Sequence, residues 1–411
     1  MAITIGNRKF DREKRKKQED ANDKGFKGFI ISLAVIYLLT ATIATTILTP
    51  RVMKANRKYE NGEIVILNDN DFTIKYNLPG SGAFDDPYRL ENITLQTKKL
   101  WGIYIDETTK HFIIKNCTIK ANQTSILILH VAFGTGIVEN NTCIANSPDH
   151  YSSIIVNFCS GTKILKNICK NGFSDNNYGI SLYGSPNCII SENICNNFRE
   201  GISCYNSIGN LDIRNNICNY NTVSGINIYN YVYSDYYTID SIVIYNNTCL
   251  MNYVGLDVTL QERFYVFIIE NNFSNNTIDG ISLEDHDCES IIANNQISNN
   301  GLGIRLYSSW NITIEYNHIN NNTDFGMILS HVYNCYVYQN NFLYNNLVGQ
   351  IEGLKQASVE YQRYYYNHFW YNNATKKGNY WSDLVWSETA IYNITNTTDA
   401  DLYPLQHPVD I

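Results

Sequence analysis

The sequence predicts an all-β chain that folds as a right-handed parallel β-helix of about eleven coils, preceded by one transmembrane helix. Three observations support this prediction. An asparagine-containing phrase recurs ten times at intervals of 22 to 31 residues. Apolar and polar residues alternate within each repeat, which is typical of half-buried strands. A 22-residue run without a charged side chain precedes the repeats.

The uncharged segment Gly28–Thr49 is long enough to cross a membrane. Its 22 residues span a hydrocarbon core of about 30 Å as a helix. Nine Lys or Arg residues precede the segment and four follow it closely, which predicts a cytoplasmic N-terminus and an extracellular body. A cleaved signal peptide is the alternative, but the basic leader is long and no clear A-x-A site follows.

The repeat itself predicts a solenoid. Its first half reads Gly-Ile-x-Leu or a close variant, and its second half reads Ile-x-x-Asn followed two residues after the Asn by an apolar residue. The first half begins at Gly179, Gly201, Gly225, Gly255, Gly280, Gly303 and Gly326. Two or three short strands per repeat form one coil, and stacked coils bury a continuous core. A propeller blade needs about 40 residues, so the shorter period argues against a propeller.

The recurring asparagines predict a structural ladder of stacked side-chain amides at one turn of every coil. They are Asn141, Asn167, Asn193, Asn216, Asn247, Asn271, Asn295, Asn317, Asn340 and Asn367. Two residues after each lies an inward column: Cys143, Cys169, Cys195, Cys218, Cys249, Phe273, Ile297, Ile319, Phe342 and Phe369. Because Cys alternates there with ordinary core residues, we interpret these thiols as small buried side chains. Disulfides or a thiolate metal site are the alternatives.

Two phrases flank each end of the repeats and carry a family resemblance. Pro79–Gly82 and Asp86–Asn92 precede the coils, and Gly378–Asp383 and Asp401–Leu405 follow them. With the repeats, they resemble the NosD-like and pectin-lyase-like superfamily of right-handed parallel β-helix proteins, of the archaeal surface type. The resemblance implies the fold but not one function, because members include lyases, hydrolases, adhesins and accessory proteins.

The resemblance to NosD also implies metal handling, which the residues do not support. The body has three methionines and dispersed histidines, so we predict no metal site and no cofactor. Related closing segments often carry a cation-binding loop. Residues 384–400 lack the D-x-N-x-D-G pattern, so calcium is not supported by a clear motif.

The Gly-Ile-x-Leu strand predicts two outward columns on one face. The first holds Ser181, Ser203, Asn227, Asp257, Ser282, Arg305 and Ile328. The second holds Tyr183, Tyr205, Tyr229, Thr259, Glu284, Tyr307 and Ser330. Stacked tyrosines offer a platform for sugar rings, and Asp257, Glu284 and Arg305 offer partners for hydroxyl or carboxylate groups. The candidate ligand-binding residues are therefore Tyr183, Tyr205, Tyr229, Asp257, Glu284, Arg305 and Tyr307. Ordinary strand surface is the alternative, because tyrosine is common in this chain and suits strands.

The densest ionisable cluster supplies the weak catalytic candidates Asp279, Glu284, Asp285 and Asp287. Paired carboxylates can act as general acid and base in glycoside hydrolysis. The cluster matches neither the Asp-Asp and Gly-His-Gly motifs of β-helix polygalacturonases nor an Arg-bearing lyase signature. A charged solvated turn is therefore the default interpretation.

These observations predict five segments. They are a cytoplasmic tail at 1–27, a transmembrane helix at 28–49, a juxtamembrane segment and cap at 50–81, the β-helix at 82–375 and a closing segment at 376–411.

Residues 59–411 have a net charge of −16, which disfavours nucleic acid as a partner. The favoured function is a single-pass cell-surface protein with a carbohydrate-binding or structural role. A polysaccharide lyase or glycoside hydrolase is the first alternative, and a metal-handling accessory protein is the second. N-x-S/T sequons such as Asn311 and Asn373 are compatible with an exterior glycoprotein.

Overall fold

A computed structural model describes residues 62–146, 151–171, 177–207, 209–230, 240–261, 264–285, 289–346, 355–360 and 368–411. The chain divides into residues 1–58, which lie outside the described residues, and a second unit, residues 59–411. No helix within the described ranges is long and apolar enough to span a membrane. The predicted cytoplasmic tail and the predicted transmembrane segment at 28–49 lie outside the described residues.

The second unit is a parallel β-solenoid with three sheets, here named A, B and C. In the described residues, sheets A and B have twelve strands each, and every neighbouring pair is parallel and follows chain order. The chain passes from A to B to C and back to A, so each circuit forms one coil. The all-β parallel solenoid that the repeat predicts is confirmed.

The strands have the following bounds. Sheet A contains Ile64–Ile66, Trp101–Asp106, Thr124–Leu129, Ser152–Asn157, Tyr178–Tyr183, Glu200–Tyr205, Ser224–Asn230, Val254–Leu260, Asp279–Glu284, Leu302–Tyr307, Met327–Ser330 and Ala357–Glu360. Sheet B contains Tyr88–Glu91, Phe112–Lys115, Gly136–Glu139, Lys163–Leu165, Ile189–Ser191, Leu211–Arg214, Asp240–Tyr245, Phe264–Ile269, Ser290–Ala293, Ile312–Glu315, Cys335–Tyr338 and His368–Phe369. Sheet C contains Thr94–Gln96, Thr118–Ala121, Thr142–Ala145, Ile168–Asn171 and Ile194–Cys195, then Asn272–Ser274, Gln296–Ser298, His318–Asn320, Asn341–Leu343 and Tyr380–Trp381.

Smaller elements complete the fold. Single bridges at Ile217 and Thr248 connect the two halves of sheet C. Tyr392–Asn393 and Ala400–Asp401 pair as a short antiparallel ribbon. A 3-10 helix covers Asp69–Phe72.

The core is built from inward columns that run along the solenoid. Cys143, Cys169, Cys195, Cys218 and Cys249 are free and buried in one column, which Phe273, Ile297, Ile319 and Phe342 continue. The expected last member, Phe369, lies elsewhere, because it pairs with Tyr336 in sheet B. Trp381 takes its place opposite Phe342. The phrase Asn379-Tyr380-Trp381 repeats the spacing of the earlier coils, so the closing segment supplies the final sheet C strand.

The glycine of the Gly-Ile-x-Leu phrase lies where the backbone of the next coil approaches closely. A Cβ atom at Gly179 would lie 2.4 Å from the carbonyl oxygen of Gly201 and 2.7 Å from Cβ of Cys195. Both distances are too short for non-bonded atoms. The phrase therefore begins with glycine because of the space available between stacked coils.

The recurring asparagines stack as a ladder along the turn between sheets B and C. Each side-chain Nδ2 donates to Oδ1 of the next asparagine, at 3.0 Å from Asn141 to Asn167 and 2.9 Å from Asn317 to Asn340. The same Oδ1 also accepts the backbone N–H of the preceding asparagine. Beyond Asn340 the ladder continues to Asn379, not to the expected Asn367, which lies outside the described residues.

A second amide ladder lies five residues after the first in six consecutive coils and was not predicted. Its members are Asn221, Asn252, Asn276, Asn300, Asn322 and Asn345. It ends on Gln356, whose Nε2 donates to Oδ1 of Asp383 at 2.6 Å. The sequence signal was present as a second asparagine five residues after the first.

Both ends of the described solenoid are closed by aromatic side chains. At the N-terminal end, buried Phe72 stacks on Tyr88 with ring centroids 4.6 Å apart. At the C-terminal end, Trp381 stacks between Phe342 and Tyr392, at 4.3 and 3.9 Å. These rings cover apolar side chains that the terminal coils would otherwise expose.

Candidate functional site

The outward side of sheet A, here called the outer A face, presents the two predicted columns in register. Tyr183, Tyr205 and Tyr229 lie opposite one another on three consecutive strands, and Thr259, Glu284 and Tyr307 continue the column. Ser203, Asn227, Asp257, Ser282 and Arg305 do the same in the other column. The spacing of the Gly-Ile-x-Leu phrase thus places these residues on one face.

The three tyrosines form a continuous stack. Ring centroids lie 5.3 Å apart for Tyr183 and Tyr205 and 5.2 Å apart for Tyr205 and Tyr229, with interplanar angles of 6° and 20°. Tyr183 and Tyr205 are 40% and 39% exposed. Neighbouring rings therefore fix one another while their outer parts stay open to solvent.

Two further aromatic rings extend the stack toward the N-terminal coils. Phe158 meets Tyr183 edge-on at 5.3 Å, and His130 stacks on Phe158 at 5.3 Å. His130 Nδ1 lies 3.0 Å from Oδ1 of Asp106. Both rings sit one residue beyond the tyrosine column, at turn positions with positive φ, so strand alternation alone could not find them.

Asp257 is the most perturbed carboxyl group on the outer A face. Its pKa is raised to about 6, first by burial and then by the negative charges of Glu284, Glu200 and Asp279. Glu200 is also buried and was not predicted. It lies opposite Ser224 in a third outward column. This column directly precedes the Gly-Ile-x-Leu phrase and is not part of it.

The remaining acidic candidates have different surroundings. Asp279 is buried and accepts two hydrogen bonds from Arg305, at 2.9 and 3.0 Å, so each neutralises the other. Glu284 and Asp285 are half-buried, and Asp287 lies outside the described residues. Glu284 is therefore the catalytic candidate that lies in the tyrosine column, between Thr259 and Tyr307.

The described residues do not form a metal site. Within the described ranges, no group of three or more His, Cys, Asp or Glu side chains is arranged so that it could hold a metal ion. Burial raises the pKa of the thiols of Cys117, Cys188 and Cys249, which disfavours the thiolate form that binds soft metals. The donor set in this part of the chain therefore does not fit copper.

The stacked parallel coils, the amide ladders and the aromatic caps define an all-β parallel solenoid repeat protein. The family model described as periplasmic copper-binding protein (NosD) matches residues 147–241 and 230–385, together more than half of the chain. The chain belongs to the NosD family. No curated relative matches the sequence.

The chain is similar to several solved structures at low sequence identity. The Dettilon tailspike protein (gp208) is 13% identical, with 69% of this chain and 60% of that chain covered and a TM-score of 0.48. The periplasmic alginate epimerase AlgG, as a double mutant, is 17% identical over 74% and 72%, with a TM-score of 0.43. The catalytic domain of GH87 alpha-1,3-glucanase in complex with nigerose is 12% identical over 75% and 62%, with a TM-score of 0.29. The chain thus spans less than two thirds of the tailspike and glucanase chains.

Proposed function

We propose that this chain is a membrane-anchored cell-surface protein that binds a glycan along the outer A face. The tyrosine stack carries the proposal. It presents three rings in succession about every 5 Å, close to the length of one hexose unit. Because the rings stack on one another, their outer edges and hydroxyl groups face solvent, and a glycan lying along the axis can contact each tyrosine in turn.

The charge of the face selects among glycans. Glu200, Asp257, Asp279 and Glu284 place negative charge beside the stack, and Arg305 is already paired with Asp279. These carboxylates would repel a polyuronate, and the described residues form no metal site that could bridge it to the protein. A neutral glycan therefore fits this face better than an acidic one.

The location outside the cytoplasm rests on the basic residues that flank Gly28–Thr49. Protease added to intact cells should digest the chain beyond Arg51. Protection in intact cells with digestion after lysis would show the opposite topology.

Hydrolysis or lysis of a polysaccharide is the second candidate, and Asp257 favours it. A carboxyl group with a pKa of about 6 can hold a proton near neutral pH, and Glu284 lies on the neighbouring strand. One carboxyl group could then act as acid and the other as base.

A glycan screen with the full-length chain, followed by depolymerisation assays on each bound glycan, separates the two functions. Tyr205→Ala should weaken binding by a few-fold to about tenfold, the scale of one aromatic contact. Tyr253→Ala, which removes an exposed tyrosine on a turn, is the matched control and should bind like wild type.

The carboxylate variant addresses catalysis. Glu284→Gln should leave the affinity nearly unchanged if the glycan binds through the aromatic rings alone, and it should abolish turnover if the acidic cluster is catalytic. Wild-type affinity of Tyr205→Ala for every glycan found in the screen would reject the binding proposal.

A further inference from the structure

A groove lies on the outward side of sheet B, on a different face from the tyrosine stack. Two adjoining cavities of about 520 and 400 Å³ share Thr313 and Tyr336. One outward column on successive strands forms the floor: Phe267, Ile291, Thr313, Tyr336 and Phe369. The two cavities are therefore parts of one groove that follows the solenoid axis.

The floor differs from the same column in earlier coils. There the column includes the charged residues Arg89, Lys163 and Asp212. Across the five strands of the groove no floor residue is charged, and two floor residues are stacked. Tyr336 and Phe369 have ring centroids 4.9 Å apart at 11°, and Tyr336 is 40% exposed. The groove thus has an uncharged, partly aromatic floor that is open to solvent.

The walls supply hydrogen-bonding groups with little charge. Glu289, Ser290 and Asn311 line one cavity, and Tyr371 and Asn372 line the other. Among the described residues that line the groove, Glu289 is the one carboxylate, and none is Lys or Arg. None of these lining residues offers a cation to a phosphate, sulfate or carboxylate ligand, and the ammonium group of Lys376 beside the groove is hydrogen-bonded to Asn373. Hydroxyl groups would find amide and hydroxyl partners.

We propose that this groove binds a neutral oligosaccharide that lies along the solenoid axis, at a site separate from the outer A face. Five strands at about 4.8 Å spacing give a floor long enough for roughly four hexose units. The rings of Phe267, Tyr336 and Phe369 provide apolar contact surface, and the side chains on the walls bond the hydroxyl groups at the sugar edges.

The test first removes the tyrosine rings of the outer A face, so that binding there cannot be mistaken for binding in the groove. The full-length chain carries Tyr183→Ala, Tyr205→Ala and Tyr229→Ala, and is produced in a host that attaches no N-glycan to Asn311 or Asn373. The probes are cellotetraose, mannotetraose and maltotetraose, with tetragalacturonate as the charged comparison. Binding is measured by calorimetry and by saturation-transfer NMR.

We expect at least one neutral tetrasaccharide to bind this triple variant, with tetragalacturonate at least tenfold weaker. Thr313→Arg, which fills the part of the groove that both cavities share, should abolish binding. Tyr336→Ala should weaken it about three- to tenfold, and Tyr253→Ala should not change it. Thr313→Arg adds a side chain without deleting packing, so it remains informative if Tyr336→Ala fails to fold.

Three results would overturn the proposal. The first is that no neutral tetrasaccharide binds the triple variant. The second is that Thr313→Arg binds as tightly as its parent. The third is that the parent is a dimer which Thr313→Arg converts to a monomer, because the groove would then be an interface between two copies. None of these results bears on the outer A face, whose binding is tested by its own variants.

Discussion

At the residue scale, Asp257 shows how the acidic outer A face affects stability. Its pKa rises from 3.8 to about 6 because the carboxyl group is largely buried and has Glu284, Glu200 and Asp279 nearby. The folded state therefore favours the protonated form more than the unfolded state does. The preference of the folded state for protonated Asp257 contributes stability that is fully present below pH 3.8. This stability is lost as the pH rises through about 6, where the buried carboxyl group ionises.

Asp257→Asn should therefore stabilise the protein at neutral pH and not at acid pH. The gain should be small near pH 4, grow up to about pH 6 and reach about 1–3 kcal/mol at pH 7. Thermal unfolding of both proteins from pH 4 to pH 8 measures the difference. Asp324→Asn, at an exposed position, is the control and should give a constant difference. Equal stability of Asp257→Asn and wild type at pH 7 would contradict the burial of this charge.

At the scale of elements, the first amide ladder is the feature that the sequence could predict best. Its asparagines recur with an apolar residue two positions later, and this spacing fixes both the turn and the core column. From Asn141 to Asn340, the residue before each ladder asparagine adopts positive φ but is not always Asn or Gly. In five coils it is Lys166, Glu192, Glu270, Tyr316 or Gln339. The hydrogen bonds of the ladder hold these residues in the left-handed region, which no local propensity indicates.

A single ladder substitution should destabilise the protein strongly. Asn317 is buried, donates to Ile292 and Asn340, and accepts two hydrogen bonds from Asn295. Asn317→Leu would leave these groups without partners, at a cost of roughly 2–5 kcal/mol. Asn210→Leu, at an exposed position, should cost much less. Similar melting temperatures for the two variants would show that the ladder contributes little.

The sequence was less informative where the repeat ends. Spacing alone made Asn367 and Phe369 the next members, but the chain inserts Phe369 into sheet B and brings Asn379 and Trp381 to the vacant positions. The contact joins segments 39 residues apart, which a search for a period of 22 to 31 residues cannot reveal.

The columns of the outer A face were predictable because they lie inside regular coils. Glu200, His130 and Phe158 lie outside the repeated phrase.

At the scale of the whole solenoid, Asp401 terminates the first ladder. Its Oδ2 accepts from the backbone N–H of Asn379 at 2.6 Å and from Nε1 of Trp381 at 3.0 Å, and its Oδ1 accepts from the backbone N–H of Tyr403. A carboxylate only accepts hydrogen bonds, so it can end a row of amides that all donate in one direction. The closing phrases Gly378–Asp383 and Asp401–Leu405 therefore act as a cap.

Loss of this cap should affect the last coils selectively, because each coil contacts only its neighbours. Asp401→Ala should increase amide hydrogen exchange in the strands Cys335–Tyr338 and Asn341–Leu343. Exchange in Ile189–Ser191 should stay unchanged. Asp410→Ala, at an exposed position, is the control. An equal increase in all coils, or no increase at all, would contradict a local capping role.

The measurement that tests the proposed function most directly is glycan binding by the triple variant Tyr183→Ala, Tyr205→Ala and Tyr229→Ala. It is made with the neutral glycan that binds wild type most tightly, in a Thr313→Arg background so that the groove on sheet B is filled. We predict that the triple variant loses affinity by about tenfold or more, from three aromatic contacts of roughly 0.5–1.5 kcal/mol each, and melts within a few degrees of its parent. Unchanged affinity in a folded triple variant would show that the outer A face is ordinary strand surface.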